Sequence, residues 1–371
     1  MKYVDEYRAP SACHNLLAEI RARTSRTWVL MDVCGGQTHG LVRSGIEQEL
    51  AGVIELIHGP GCPVCVTPAA AIDFAAHLSL QADTMLVSFG DMLRVPGYRT
   101  SLAEARRRGG KVRIAYSPLD AIELAQQHPE LQIVFFAVGF ETTVPATALA
   151  VLQAEQLGLH NFRLLANHVR VQPAMEAIMR MPDNRVQGFL AAGHVCTVTG
   201  AGLHDSFAET FAVPVAVTGF EPVDLLQGIL ACVRQLEAGQ ARVENCYGRS
   251  VRHAGNLSAQ AMIDRVYEVA DANWRGFGLI PQGGFRLRAP FARFDAHRDW
   301  AAQPLEIACD HEICRAGEVM SGKIKPRQCS AFGTRCTPQT PLGAPMVSSE
   351  GACAAYFRYQ GAAEDTTVTE T

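Results

Sequence analysis

Short apolar runs recur along the first two thirds of the chain, and each closes on a small group of glycine and polar residues. Thr27–Val33 runs into Cys34-Gly35-Gly36-Gln37-Thr38-His39-Gly40, ahead of a helix expected from Leu41, and Val53–His58 runs into Gly59-Pro60-Gly61-Cys62-Pro63-Val64-Cys65. Met85–Phe89 ends at Gly90-Asp91-Met92, and Lys111–Tyr116 at Ser117-Pro118-Leu119-Asp120. A second set follows: Ile133–Val138 before Gly139-Phe140-Glu141-Thr142-Thr143, Phe162–Ala166 before Asn167-His168, Gly188–Ala192 before Gly193-His194-Val195, and Val213–Thr218 before Gly219-Phe220-Glu221-Pro222. Strand, glycine-bearing loop and helix in alternation predict an α/β fold with parallel sheets.

The alternation divides into two successive four-strand halves, 27–128 and 129–238, read as two Rossmann-like α/β domains. Open parallel sheets place their ligand sites beyond the carboxyl ends of the strands, so the polar loops of both halves are expected to face a shared cleft. Residues 1–26 hold a helix with Leu16, Leu17 and Ile20 on one face and arginines on the other. Beyond residue 239 the alternation fades. Gln260–Val269 is expected to be an amphipathic helix, and Gly276–Pro290 a small irregular β element. From Cys309 the chain is rich in proline and cysteine and too poor in apolar residues to be held by burial alone. The last ten residues lack periodicity and read as a disordered tail.

Composition narrows the function. With 371 residues, 48% of them hydrophobic, the chain can bury a large core. A net charge of -4 argues against a general nucleic-acid binder, and no stretch is apolar enough to span a bilayer. The polar start lacks a secretory signal, which makes the cytoplasm the expected location. No dinucleotide fingerprint or phosphate-binding loop occurs.

Twelve cysteines in a reducing compartment point to metal ligation, redox work or burial rather than a disulfide framework. Cys62 and Cys65 sit on a loop kinked by glycine and proline, close enough to bond each other or to share a metal. Cys34 stands beside a helix start, where free backbone N–H groups would lower its pKa and favour the thiolate. Cys314, Cys329, Cys336 and Cys353 are isolated on loops, without the tight pairs of a zinc ribbon, and suit a [4Fe-4S] cluster better than zinc. Cys309 precedes them and is a possible substitute ligand. His39 shares the Cys34 loop and is the preferred proton carrier over His168 and His194. Asp91, Glu141 and Glu221 serve equally as helix caps or as catalytic acids, and Glu350 reads as a surface residue.

Taken together, Cys34-Gly35-Gly36-Gln37-Thr38-His39, Gly59-Pro60-Gly61-Cys62-Pro63-Val64-Cys65, Phe89-Gly90-Asp91-Met92, Gly139-Phe140-Glu141-Thr142-Thr143 and Met346-Val347-Ser348-Ser349-Glu350-Gly351-Ala352-Cys353 give a chain that resembles the HypD family of [NiFe]-hydrogenase maturation factors. The resemblance implies a scaffold for the Fe(CN)2CO group of the hydrogenase, with a HypC-type small chaperone and a HypE-type cyanide donor as partners. It further implies iron at Cys34, a redox pair at Cys62 and Cys65, and a [4Fe-4S] cluster on Cys314, Cys329, Cys336 and Cys353. The fold it implies has two α/β domains and an iron–sulfur domain, 239–371, completed by the N-terminal helix. Some members carry histidine at the position of Gln37. A different reading is a cluster-dependent thiol–disulfide oxidoreductase acting on a protein client, which has no need of Cys34.

Overall fold

All eight apolar runs form strands in the computed structural model, which describes residues 5–300 and 313–361. They are β1 (Trp28–Asp32), β2 (Ile54–His58), β3 (Thr84–Ser88), β4 (Val112–Ile114), β5 (Gln132–Gly139), β6 (Phe162–His168), β7 (Gly188–Ala192) and β8 (Val215–Thr218). A further short strand, β9 (Val243–Asn245), and an antiparallel hairpin of β10 (Tyr267–Trp274) and β11 (Gly278–Leu287) complete the set. Parallel pairing with helical crossovers requires strands buried on both faces. The central strand β5 accordingly has no polar residue between Ile133 and Gly139, and β7 is buried throughout.

The strands do not sort into the two successive halves. One sheet has the order β2-β1-β7-β8-β9, the other β4-β3-β5-β6, and every neighbouring pair in both is parallel. The chain starts the first sheet, builds the whole second sheet, and returns. Nothing local distinguishes β2 from β3, since both are apolar runs closed by glycine. The choice of neighbour is made by tertiary packing, as where Val33 N–H reaches Leu190 O across from β1 to β7.

Interleaving creates a reversal of strand order between β1 and β7 in one sheet and between β3 and β5 in the other. At such a reversal the loops on either side diverge and leave a crevice. In the first sheet those loops carry Cys34 and His194; in the second they carry Asp91 and Glu141.

Local structure departs from expectation in three places. The helix after β1 starts at Gly35 rather than Leu41, so that Gln37, Thr38 and His39 are helical. The helix Leu257–Val266 stops before Tyr267, whose buried ring begins a strand of alternating burial and whose hydroxyl donates to Thr147 Oγ1 at 2.8 Å. The N-terminal helix, Pro10–Arg23, buries Leu17 and Ile20 against Leu225, Leu226 and Ile229, on a helix of the first sheet. It does not join the C-terminal cysteines, because its apolar face is satisfied there. Among the described residues, no helix is long and apolar enough to cross a membrane.

The C-terminal segment carries its own small core. Ala331, Phe332, Cys336, Met346, Ala355 and Tyr356 pack together and against Val42, on the helix that follows Cys34. This docking brings the chain's last cysteines to the first α/β unit. Cys309 lies outside the described residues.

Candidate functional site

Cys34 caps the helix Gly35–Arg43 at the strand reversal and is 2% exposed. Its Sγ lies 3.6 Å from Nδ1 of His194, the second residue of the helix Gly193–Thr199 after β7. The expected low pKa is not found. Burial pushes the Cys34 thiol well above its usual value, and N–H groups of Gln37 and Gly36 offset this only in part, while Glu350 and Asp32 oppose ionisation further. A helix terminus stabilises a thiolate by a modest amount when water also reaches the sulfur; full desolvation outweighs it. Burial also pushes His194 down to about 4, so at neutral pH its imidazole is uncharged and available as a proton acceptor.

Cys62 and Cys65 form a disulfide at the start of the short helix Pro63–Val66. Pro63 sits where a helix tolerates the missing N–H, and Cys65 N–H donates to Cys62 Sγ at 3.2 Å. Both sulfurs are buried, Cys62 at 4% and Cys65 at 1% exposed, in the cluster that holds Cys34, Val33, Phe140 and Val195. The two cysteine loops interlock. Gly35 N–H donates to Gly61 O at 2.9 Å, and a Cβ on Gly61 would overlap the backbone of Val33 and Cys34.

The histidine that approaches Cys34 is therefore His194, not His39. Both ring nitrogens of His39 are engaged by the C-terminal segment, Nδ1 with Ser349 O at 3.2 Å and Nε2 with the Tyr359 hydroxyl at 3.0 Å. Gln37 uses its amide to tie β7 to β8, donating to Ala191 O at 2.9 Å and Thr218 Oγ1 at 2.7 Å. Glu221 caps the helix Pro222–Glu237 and pairs with Arg8. Glu350 is exposed, as expected of a surface residue, but its Cβ and carbonyl lie directly over Gly35 beside Cys34, and desolvation, then the charge of Asp91, hold its carboxyl above the usual range. Sequence spacing holds no sign of this, because the partners are remote in the chain.

His168 lies apart from Cys34, at the end of β6. It is 2% exposed, rests edge-on against Tyr267 at 6.0 Å, and lines a cleft under the β10–β11 hairpin. Glu141 is buried at the other reversal. Its Oε1 accepts from Val171 N–H at 3.2 Å, and burial raises it from 4.5 to about 7, offset weakly by Arg170. A carboxyl raised on folding holds its proton in the native state while the unfolded chain has lost it, so stability falls as pH rises from 4.5 to 7. Glu141→Gln is expected to equal the parent near pH 4 and to exceed it by about 3 kcal/mol at pH 8, read from urea midpoints at the two pH values.

Cys314, Cys329, Cys336 and Cys353 line one small cavity of about 20 Å³. Apart from Arg315 its remaining walls carry no charged residue, and Val319, Phe332, Leu342 and Met346 are among them. Leu342 N–H donates to Cys336 Sγ at 3.4 Å, and a Cβ on Gly343 would overlap Cys314 Sγ. The Cys353 thiol is pushed up by burial and then by the other three cysteines, a measure of their mutual closeness. Among the described residues, no three histidine, cysteine or carboxylate side chains converge on a single metal ion. Four thiols around one apolar-walled cavity supply the donor atoms that a thiolate-bound metal centre requires.

The model of the hydrogenase formation family HypD matches residues 11–360. The hydrogenase maturation factors HypD of Escherichia coli K12 and of Azotobacter vinelandii are each 45% identical over 368 residues, covering 97% of this chain and 98% and 97% of theirs. HypD of Rhodobacter capsulatus is 44% identical over 374 residues, covering 98% of this chain and 99% of its own. With a match along nearly the whole length, the chain belongs to the HypD family, and its role lies in hydrogenase maturation.

Proposed function

We propose that this chain is the scaffold on which the Fe(CN)2CO group of [NiFe]-hydrogenase is assembled. Cys34 anchors the substrate iron, with a HypC-type small chaperone supplying a second thiolate and a HypE-type protein delivering cyanide. The observation that carries the reading is the interlocking of the Cys34 and Cys62–Cys65 loops at a strand reversal. That arrangement sets an anchoring thiol and a two-electron dithiol in one dry pocket.

The chemistry follows from the surroundings of each sulfur. A buried thiol resists ionisation, so Cys34 keeps its proton until a cation arrives to replace it. When iron binds, the Sγ–H bond breaks, the Sγ–Fe bond forms, and the proton passes to Nδ1 of His194, whose neutral ring is ready for it. The Cys62–Cys65 bond opens by taking two electrons and two protons and closes by returning them. Cys314, Cys329, Cys336 and Cys353 would hold a [4Fe-4S] cluster, which supplies electrons singly. Exclusion of water from Cys34 and the disulfide protects reactive groups during assembly.

The buried Cys34 weighs against a thiol–disulfide oxidoreductase, which needs only the Cys62–Cys65 pair and has no use for a third thiol packed in the same cluster. Iron and acid-labile sulfide measured on the anaerobically purified full chain test the cluster assignment. About four of each per chain are expected, and Cys353→Ser should lose most of both. Zinc with no labile sulfide would overturn the assignment.

A further inference from the structure

One buried polar network reaches the segments of Cys34, Cys62–Cys65, Cys329 and Cys353. Its centre is His58, the last residue of β2, which is 3% exposed and precedes Cys62 by four positions. His58 Nδ1 donates to Asp32 Oδ2 at 2.5 Å, and Asp32 precedes Cys34 by two positions. The other Asp32 oxygen accepts from Thr38 Oγ1 at 2.6 Å, and that hydroxyl also reaches Cys34 O at 3.3 Å. On the opposite side, His58 Nε2 donates to the Tyr356 hydroxyl at 3.2 Å; Tyr356 lies three positions after Cys353. Tyr356 in turn donates to both Glu47 oxygens, at 2.6 and 2.7 Å. Lys325, four positions before Cys329, pairs with the same carboxylate.

We propose that His58 is a positioning residue that couples the Cys34 and Cys62–Cys65 loops to the C-terminal cysteine segment, so that the redox state of the disulfide depends on how that segment is seated. The inference rests on the redox reading of Cys62 and Cys65, but on no bound iron. Each ring nitrogen of His58 faces an acceptor, because Tyr356 has spent its proton on Glu47, and this arrangement calls for an imidazolium. Asp32 and Glu47 outweigh the desolvation that pulls His58 down, and its pKa is raised. With Lys325 the network carries two positive and two negative groups, which makes its burial tolerable only while all four stay in place. Removing any one member leaves a charge or donor unmatched and reseats the strand ends on which the sulfurs ride.

The test is the dithiol–disulfide equilibrium of the full chain, free of metal, in mixtures of reduced and oxidised dithiothreitol. In that exchange the Cys62–Cys65 bond breaks, the reagent's ring disulfide forms, and the reagent's two thiol protons pass to Cys62 and Cys65. Tyr356→Phe removes one hydroxyl on the C-terminal helix. It is expected to shift the equilibrium constant at least fivefold, His58→Gln at least as much, and the double variant by less than the product of the two. Tyr267→Phe, an equally buried hydroxyl lost from β10, where it packs in the core beside the second sheet, should stay within twofold of the parent. A folded Tyr356→Phe within twofold of the parent, or effects that multiply, would overturn the proposal; Tyr356→Phe alone decides the matter should His58→Gln fail to fold. Loss of the cluster assignment would leave this result intact, since no iron enters the measurement.

Discussion

Cys34→Ala, purified anaerobically together with the small chaperone, is expected to fold, to keep any iron held by its C-terminal cysteines, and to lose the additional iron that the proposed anchoring role assigns to the parent. The separation arises because Cys34 and the C-terminal thiols belong to different cores. Cys34 packs with Val33, Cys62, Cys65 and Phe140, while Cys336 packs with Ala331, Phe332 and Met346. Removing one buried sulfur costs about 1 kcal/mol of packing, far too little to unfold a chain of this size. Metal analysis of the pair, parent against variant, reads the result directly. Retention of the extra iron by the variant would move the anchor elsewhere.

Gly61→Ala is expected to be the most damaging single methyl in the molecule's first α/β unit. The added carbon meets the backbone nitrogen and Cα of Cys34 and the carbonyl carbon of Val33, none of which can rotate away. Relief requires the Cys62–Cys65 loop to lift off the Cys34 loop, which breaks the bond from Gly35 N–H to Gly61 O. Overpacking of this kind costs about 3 kcal/mol. Gly52→Ala is the comparison: its φ of 80° strains any side chain, but no atom lies within 4 Å, and about 1 kcal/mol is expected. Thermal melts rank the two variants by stability. The sharper sign is chemical, since Cys34 in Gly61→Ala should alkylate with iodoacetamide at least tenfold faster than in the parent as its cover is removed.

Sequence patterning revealed the strands and failed on their partners, for one physical reason. A buried parallel strand announces itself by an unbroken apolar run, as in Ile133–Val138, whereas its neighbour is chosen by faces far apart in the chain. The boundary drawn at residue 128 therefore cut through the second sheet, between β4 and β5. The helix after Cys34 was hidden by Gly35 and Gly36, which lower helix propensity but here let Phe220 come within 3.1 Å of a Cβ position on Gly36. The isolated spacing of the last four cysteines was legible and disfavours the paired thiolates of a zinc ribbon, and the fold brings the four to one cavity. The protonation of Cys34 was not, since its pKa turns on burial that no local pattern encodes. The histidine beside Cys34 was misjudged for the same reason: His39 is near in sequence, His194 near in space.

The central claim, that Cys34 anchors the iron on which cyanide and carbonyl groups are assembled, is tested most directly by infrared spectroscopy of the chain purified anaerobically with its small chaperone. The account predicts cyanide and carbonyl stretching bands from the parent and none from Cys34→Ala. The same bands in Cys34→Ala, or a parent that shows none, would contradict it.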